Sequence, residues 1–302
     1  MTGAQAQAAE NFRGSIFILL AMCSFAFGDG VIKYLGAELP LGQIIMFRGA
    51  FSILMIAVWM RLNGQWKGAF SHFQNKILWF RAAAEVVATY SFFTALLNLS
   101  FASVSAILQS VPLVVTLGAA ILFREKIGWR RMVAIMLGLF GVLLIIKPGF
   151  GTFNFYSLAA VLTVFAASAR DLATRKLPPD MPNFVATIFT IFAVCISTIA
   201  VAPFEEWKML SVAEVSTLLI TSVLLVIGIF GIIAAMRTGE VAVITPFRYS
   251  HLLFATLIGV VIFSETPDTY TILGSLIVVA TGLYTFYREY ILRNRQNKAT
   301  PE

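Results

Sequence analysis

The sequence predicts an all-α polytopic membrane protein with ten transmembrane helices arranged as two inverted five-helix repeats. Three observations carry this. The chain is 59% hydrophobic and only 12% charged over 302 residues, with a mean hydropathy of +0.86. Soluble domains are about 25% charged, so an ordinary water-facing surface is excluded. Apolar spans of about membrane length follow one another with short connections. One of these spans, residues 102–126, returns in degenerate form at 242–265.

The repeat fixes the register between the halves. Ala102 matches Ala242, Ser110 matches Ser250, and Thr116 matches Thr256. Leu117, Phe123 and Glu125 match Leu257, Phe263 and Glu265, so both copies end in Phe-x-Glu. Upstream, Asp29, Lys33, Leu35 and Pro40 recur as Asp171, Arg175, Leu177 and Pro182. Apolar matches between Leu- and Ala-rich spans carry little weight. The charged and proline matches in the same order carry more.

Taken in order, the spans run 14–36, 41–60, 76–98, 103–123, 130–147, 156–176, 184–203, 211–236, 242–263 and 269–292. Residues 14–150 form the first repeat and 151–292 the second. Residues 1–13 and 293–302 are cytoplasmic tails without evident order. The stretch before Phe12 is short, polar and free of basic residues, unlike a signal peptide. Cys23 and Cys195 lie inside apolar spans, which suggests neither a disulfide framework nor a thiolate metal site.

Charge sets the orientation. Arg61, Lys67, Lys76, Arg124, Lys126, Arg130, Arg131, Arg175, Lys176 and Arg237 fall in one set of connections, with Arg13, Arg288, Arg293, Arg295 and Lys298 at the termini. The opposite loops hold Lys147 and Lys208 among Glu38, Glu205, Glu206, Glu214, Glu265 and Asp268. The positive-inside rule then places both termini in the cytoplasm. The net charge of +7 belongs to loops facing anionic lipid, and no nucleic-acid partner is implied. Five helices per repeat is odd, so the second copy is upside down relative to the first. Such inverted repeats place a substrate site near the midplane.

Ionisable residues within the spans are the functional candidates, since each costs about 2.5–3.5 kcal/mol in hydrocarbon unless paired or wetted. Asp29, between Gly28 and Gly30 in the first helix, lies level with Arg48 of the second, with Lys33 above them. Arg81 and Glu85 lie one turn apart in the third helix and can pair. Arg170, Asp171 and Arg248 complete an inner group. Arginines can snorkel to headgroups, but the short aspartate cannot reach far. Substrate-binding or gating candidates are Asp29, Arg48, Glu85, Gln109, Asp171, Phe247, Arg248 and Tyr249. Asp29, Glu85 and Asp171 are the candidates for proton coupling. Arg248 and its i+4 neighbour Leu252 are expected to share the pathway-facing side of the ninth helix, and Tyr249 to turn toward the same space.

The five-plus-five layout, the paired Leu-x-Phe-x-Glu fourth helices and the Gly138/Gly141 and Gly274/Gly282 helices resemble EamA-type transporters of the drug/metabolite transporter superfamily. Two positions depart from the pattern: Ala134 stands where the second copy has Gly274, and Leu252 where the first has Pro112. The resemblance implies a secondary carrier in the bacterial inner membrane that moves a small organic metabolite by alternating access, as a monomer or homodimer. No phosphate-binding G-x-x-x-x-G-K-[ST] loop, metal or cofactor signature is present. An intramembrane enzyme is disfavoured, because His251 has no second His or Asp at ligand spacing and His72 lies in a loop. A channel lacks a reason for duplicated halves. The stretches Val31-Ile32-Lys33-Tyr34, Pro40-Leu41-Gly42-Gln43, Ala169–Arg175 and Pro246-Phe247-Arg248-Tyr249 resemble a riboflavin-uptake subgroup, which implies riboflavin as substrate, with export of an aromatic amino acid or other metabolite as the alternative.

Overall fold

The computed structural model describes residues 3–64, 73–124, 128–147, 154–178, 181–238 and 240–299. Lys67, His72, Glu125 and Lys126, named above, lie outside the described residues. Ten described helices are long and apolar enough to cross a membrane. They are α1 (Gly3–Leu35), α2 (Leu41–Leu62), α3 (Lys76–Asn98), α4 in two pieces (Phe101–Leu108 and Val111–Phe123), α5 (Trp129–Ile146), α6 (Tyr156–Thr174), α7 (Asn183–Val201), α8 (Val212–Thr238), α9 in pieces (Val241–Ile244, a 3₁₀ turn Thr245–Tyr249, and Ser250–Phe263) and α10 (Thr269–Ala299). The tails were expected to lack order. Instead α1 and α10 run on into them: no proline interrupts either helix, and Gly14 is accommodated within α1.

Two compact units are present, and they do not coincide with the sequence halves. One comprises residues 1–26, 100–154 and 227–302, and the other 27–99 and 155–226. Within the first, α5 lies along α10 and the first piece of α4 packs on the last piece of α9. Within the second, α3 lies along α6, and α2 and α3 pack on α7.

Glycines make the closest of these approaches possible. A Cβ on Gly274 would come within 2.6 Å of the Gly141 carbonyl oxygen, and one on Gly141 within 3.0 Å of the Gly274 oxygen, so α5 and α10 cross backbone to backbone there. Small residues take this role in membranes, where dispersion rather than water exclusion drives helix contact. Elsewhere in the same unit, Gly228 accepts the ring of Phe25, and Gly231 accepts Ala21 at 3.0 Å. Ile18, Ala21, Met22, Ala235 and Ile244 form the adjoining core. In the other unit Gly49 receives the Cys195 sulfur between α2 and α7, while Leu78, Ala82, Met181, Ala186 and Phe189 form a core around α3 and α7.

The helix ends are closed by side chains from other elements. Glu205 accepts from the Gly42 amide through both oxygens, at 2.9 and 3.0 Å, at the start of α2. Glu265 accepts from the Phe101 amide at 2.6 Å at the start of α4. Lys33 donates to the Leu96 and Leu99 carbonyls at 2.9 and 2.5 Å at the end of α3. Each satisfies groups that a helix terminus leaves unpaired.

The α5–α10 crossing gives a stability prediction. Gly274→Ala should cost about 1–3 kcal/mol, because the methyl group meets a backbone oxygen that cannot rotate away. Gly128→Ala, where a Cβ meets nothing within 4 Å, should leave the melting temperature of the detergent-purified protein unchanged. Equal melting of both variants would show that the crossing is not tight.

Candidate functional site

Proline sets the local chemistry of α4 and α9. Pro112 and Pro246 lack the amide that would continue each helical ladder, and a break lies beside each. In α4 the turn tightens at Gln109 and Ser110, where the Ser110 amide and hydroxyl both donate to the Ile107 carbonyl, at 3.0 and 2.7 Å. In α9 the backbone winds as a 3₁₀ turn from Thr245 to Tyr249. Irregular backbone at membrane depth is tolerated where it is buried in protein or lines a wet cavity.

The two breaks meet. The Gln109 amide nitrogen donates to the Arg248 and Tyr249 carbonyls at 3.4 and 3.3 Å, long contacts that bridge α4 to α9. Arg248 and Phe247 are exposed, while Tyr249 is buried. Tyr249 sits on Gly282 of α10, with its ring edge-on to Phe286 at 6.3 Å. Further along α9, Leu252 is 6% exposed and Leu253 72%. The 3₁₀ turn has three residues per turn, so the helical phase assumed across it does not hold.

Asp29 and Arg48, in the other unit, are both buried, at 8% and 9% exposure. The Asp29 charge acts on the Arg48 guanidinium. The guanidinium lies over the Phe93 ring at 5.6 Å, within cation–π range. Gly28 lies beside it, and a Cβ there would make only an ordinary 4.0 Å contact with an Arg48 terminal nitrogen. The Arg48 carbonyl also accepts from Ser222 of α8 at 3.0 Å. Lys33, expected above this pair, is committed to the end of α3.

The inner charges of this unit form a network across three helices. Arg170 binds Glu85 and its neighbour Asp171, each at 2.9 Å. Arg81 donates to Thr174 at 2.9 Å, to the Ala186 carbonyl at 3.2 Å, and to Thr190. Glu85 therefore makes its close ion pair with Arg170 on α6. Arg81, a turn away, reaches α7. Glu205, Gln43 and Lys208 were not among the sequence-predicted site residues. Gln43 donates to the Lys208 carbonyl at 2.7 Å, beside the Glu205 cap on α2. The acidic loop residues were visible in the sequence, but their helix-end partners are distant in it. Among the described residues no group of three or more His, Cys, Asp or Glu could hold a metal ion.

Ten spanning helices, two of them broken, with charges paired at depth or exposed beside a break, define a solute transporter. The chain belongs to the EamA-like transporter family, which matches residues 12–147 and again 154–287. It is similar to the S-adenosylmethionine uptake transporter of Rickettsia conorii, 23% identical over 94% of this chain and 95% of that one. The pseudopaline exporter CntI of Pseudomonas aeruginosa is 25% identical over 88% and 93%. The riboflavin transporter of Vibrio cholerae is 25% identical over 88% and 90%. A solved crystal structure superposes with a TM-score of 0.65 over 93% of this chain and 97% of that one at 17% identity, a likeness of fold alone.

The Arg170 network generates a prediction. Arg170→Gln leaves two carboxylates without their shared cation and should lower stability more than Glu85→Gln, which leaves Arg170 paired with Asp171. Removing one partner of a buried pair costs about 3–5 kcal/mol, and partial exposure here reduces that to about 1–3 kcal/mol. Thermal melting of the purified variants measures the order. A reversed order would mean that Glu85 has a second partner of greater weight.

Proposed function

We propose that the protein is a secondary carrier that moves a small organic metabolite across the bacterial inner membrane by alternating access, with riboflavin uptake as the leading substrate assignment. The observation that carries this is Arg248. It is exposed beside a helix break, three residues past Thr245, where the membrane-length span begins, and therefore about 6 Å along the 3₁₀ turn. A guanidinium there is costly against hydrocarbon and inexpensive against a wetted path. Its planar fork suits a carboxylate or carbonyl group on the substrate, and exposed Phe247 is adjacent in sequence. Asp29, Arg48, Glu85 and Asp171 are assigned to gating, and the three carboxylates to proton coupling.

Residues 14–150 and 151–292 are assigned as inverted repeats, with both termini cytoplasmic. The family match falls once in each segment. The pairs α2 with α7, α4 with α9 and α5 with α10 each join helices five apart in order. In the repeat register Gln109 corresponds to Tyr249, and these two touch. A residue meeting its own counterpart is what a two-fold relation gives for positions near its axis. Reporter fusions after residue 150 and after residue 302 should read opposite sides of the membrane. The same side for both would overturn the five-plus-five scheme.

A second reading is supported by the other relatives: S-adenosylmethionine uptake, or export of a metabolite as the pseudopaline exporter's name describes. Counterflow in proteoliposomes separates them. Labelled riboflavin should enter faster when unlabelled riboflavin is trapped inside, a trans-stimulation that a channel does not show. Arg248→Gln should lower transport kcat/KM about 10- to 100-fold, the value of a charge-assisted hydrogen bond. Asp29→Asn and Arg48→Gln should each abolish transport at nearly unchanged membrane levels. Exchange of S-adenosylmethionine without exchange of riboflavin would select the second reading. Normal transport by Arg248→Gln would leave Arg248 a snorkelling residue.

A further inference from the structure

The pair α5–α10 is closed at one end and open at the other, and the repeat register explains why. Gly141 and Gly274 make the backbone crossing. In that register the counterpart of Gly274 is Ala134 and the counterpart of Gly141 is Thr281. A two-fold relation would place a second crossing at Ala134 and Thr281, but these side chains are larger than glycine. Thr281 packs by its side chain on Gly138 of α5, where a Cβ would stand 2.7 Å from its hydroxyl, and the backbones do not cross there as they do at Gly141 and Gly274. Instead a groove of about 490 Å³ opens, lined by Trp129, Arg130, Val133, Ala134, Ala280, Thr281 and their neighbours.

This groove is apolar along its length and basic at its mouth. Its α5 wall runs from Trp129 to Leu137, about 12 Å along the helix, a length suited to the upper part of one acyl chain. Trp129 is 73% exposed and Tyr284, on the α10 wall, 40%, the aromatic residues that settle at headgroup depth. The Arg130 guanidinium lies 5.4 Å from the Trp129 ring. The adjacent Arg131 turns away and donates to Thr116 of α4 at 3.3 Å. Arg288 follows Tyr284 by one turn of α10, which puts a second cation on the same helix face.

We propose that this groove binds one anionic phospholipid, with an acyl chain between α5 and α10 and its phosphate between Arg130 and Arg288. The charge at the mouth selects the occupant: a zwitterionic headgroup gains less from two arginines, and a second copy of the chain would bring the same positive charge against itself. The orientation proposed above serves only to name the cytoplasmic leaflet. Binding in detergent is independent of it, so the two can fail separately.

Native mass spectrometry of the full chain in detergent, with phosphatidylglycerol or phosphatidylcholine added at equal concentration, tests the site. The wild type should retain phosphatidylglycerol over phosphatidylcholine by about fivefold for each arginine engaged. Arg130→Gln with Arg288→Gln should bring the ratio close to one. Val133→Trp, at a position 48% exposed and so harmless to folding, should fill the groove and lower retention of phosphatidylglycerol while leaving transport intact. An unchanged ratio in the double variant, or no effect of Val133→Trp, overturns the proposal. So does disulfide formation between two chains carrying Trp129→Cys in native membranes, which would make the groove an interface between copies.

Discussion

Every polar group that enters hydrocarbon needs a partner, because lipid offers none, and this requirement organises the molecule. It explains why three helix ends are closed by charged side chains from other elements. The start of α2 is held by Glu205 after α7, the start of α4 by Glu265 after α9, and the end of α3 by Lys33 of α1. An isolated helix would leave those groups to water. Here each cap also ties two elements together, so a group needed for local satisfaction fixes tertiary placement as well. Gly259 shows the steric side of this arrangement. A Cβ there would stand 2.8 Å from the Glu265 carboxylate, so the bare backbone of α9 makes room for the cap on α4.

The same requirement separates two kinds of intramembrane charge. Glu85, Arg170 and Asp171 satisfy one another within one compact unit, and Arg81 beside them is satisfied by hydroxyls and a carbonyl. Such a network holds α3, α6 and α7 in register whatever else it does. Arg248 is different, for its side chain is exposed where the helix itself is irregular. Helix breaks free backbone carbonyls, and Gln109 takes up two of them. Beside this bridge the exposed Arg248 side chain stands on the 3₁₀ turn itself.

Much of this was legible in the sequence. Helix number followed from span length and hydropathy, since the bilayer imposes both. Phe-x-Glu was visible as a repeated pattern, yet its role was not, because the amide that Glu265 caps lies more than 160 positions away; Glu125, its counterpart, lies outside the described residues. The compact units were hidden for a similar reason. Hydropathy reports which segments enter lipid and says nothing of which helices share a face. Tyr249 was read as a pathway residue from its depth and its hydroxyl, and the place that Gly282 leaves for its ring against α10 was not legible. The 3₁₀ turn ahead of Leu252 was not legible either, in a segment read as a regular helix.

The departures between the two sequence copies follow the same physics as the matches. Positions that keep their identity include Glu125 and Glu265, and Asp29 and Asp171, where a charge has few alternatives. Positions that drift are those where either of two side chains satisfies the local need. A proline lies beside each break of α4 and α9, at Pro112 and Pro246, although the repeat register places Leu252 and Ala106 opposite them. What the copies share is therefore the break and not the proline. Gly141 and Gly274 against Thr281 and Ala134 show the converse. There a methyl group at Ala134 and a branched hydroxyethyl group at Thr281 separate a backbone crossing from an open groove, a difference of shape that no hydropathy average registers. Duplication supplies two equivalent frames, and small changes in side-chain volume make their surfaces different.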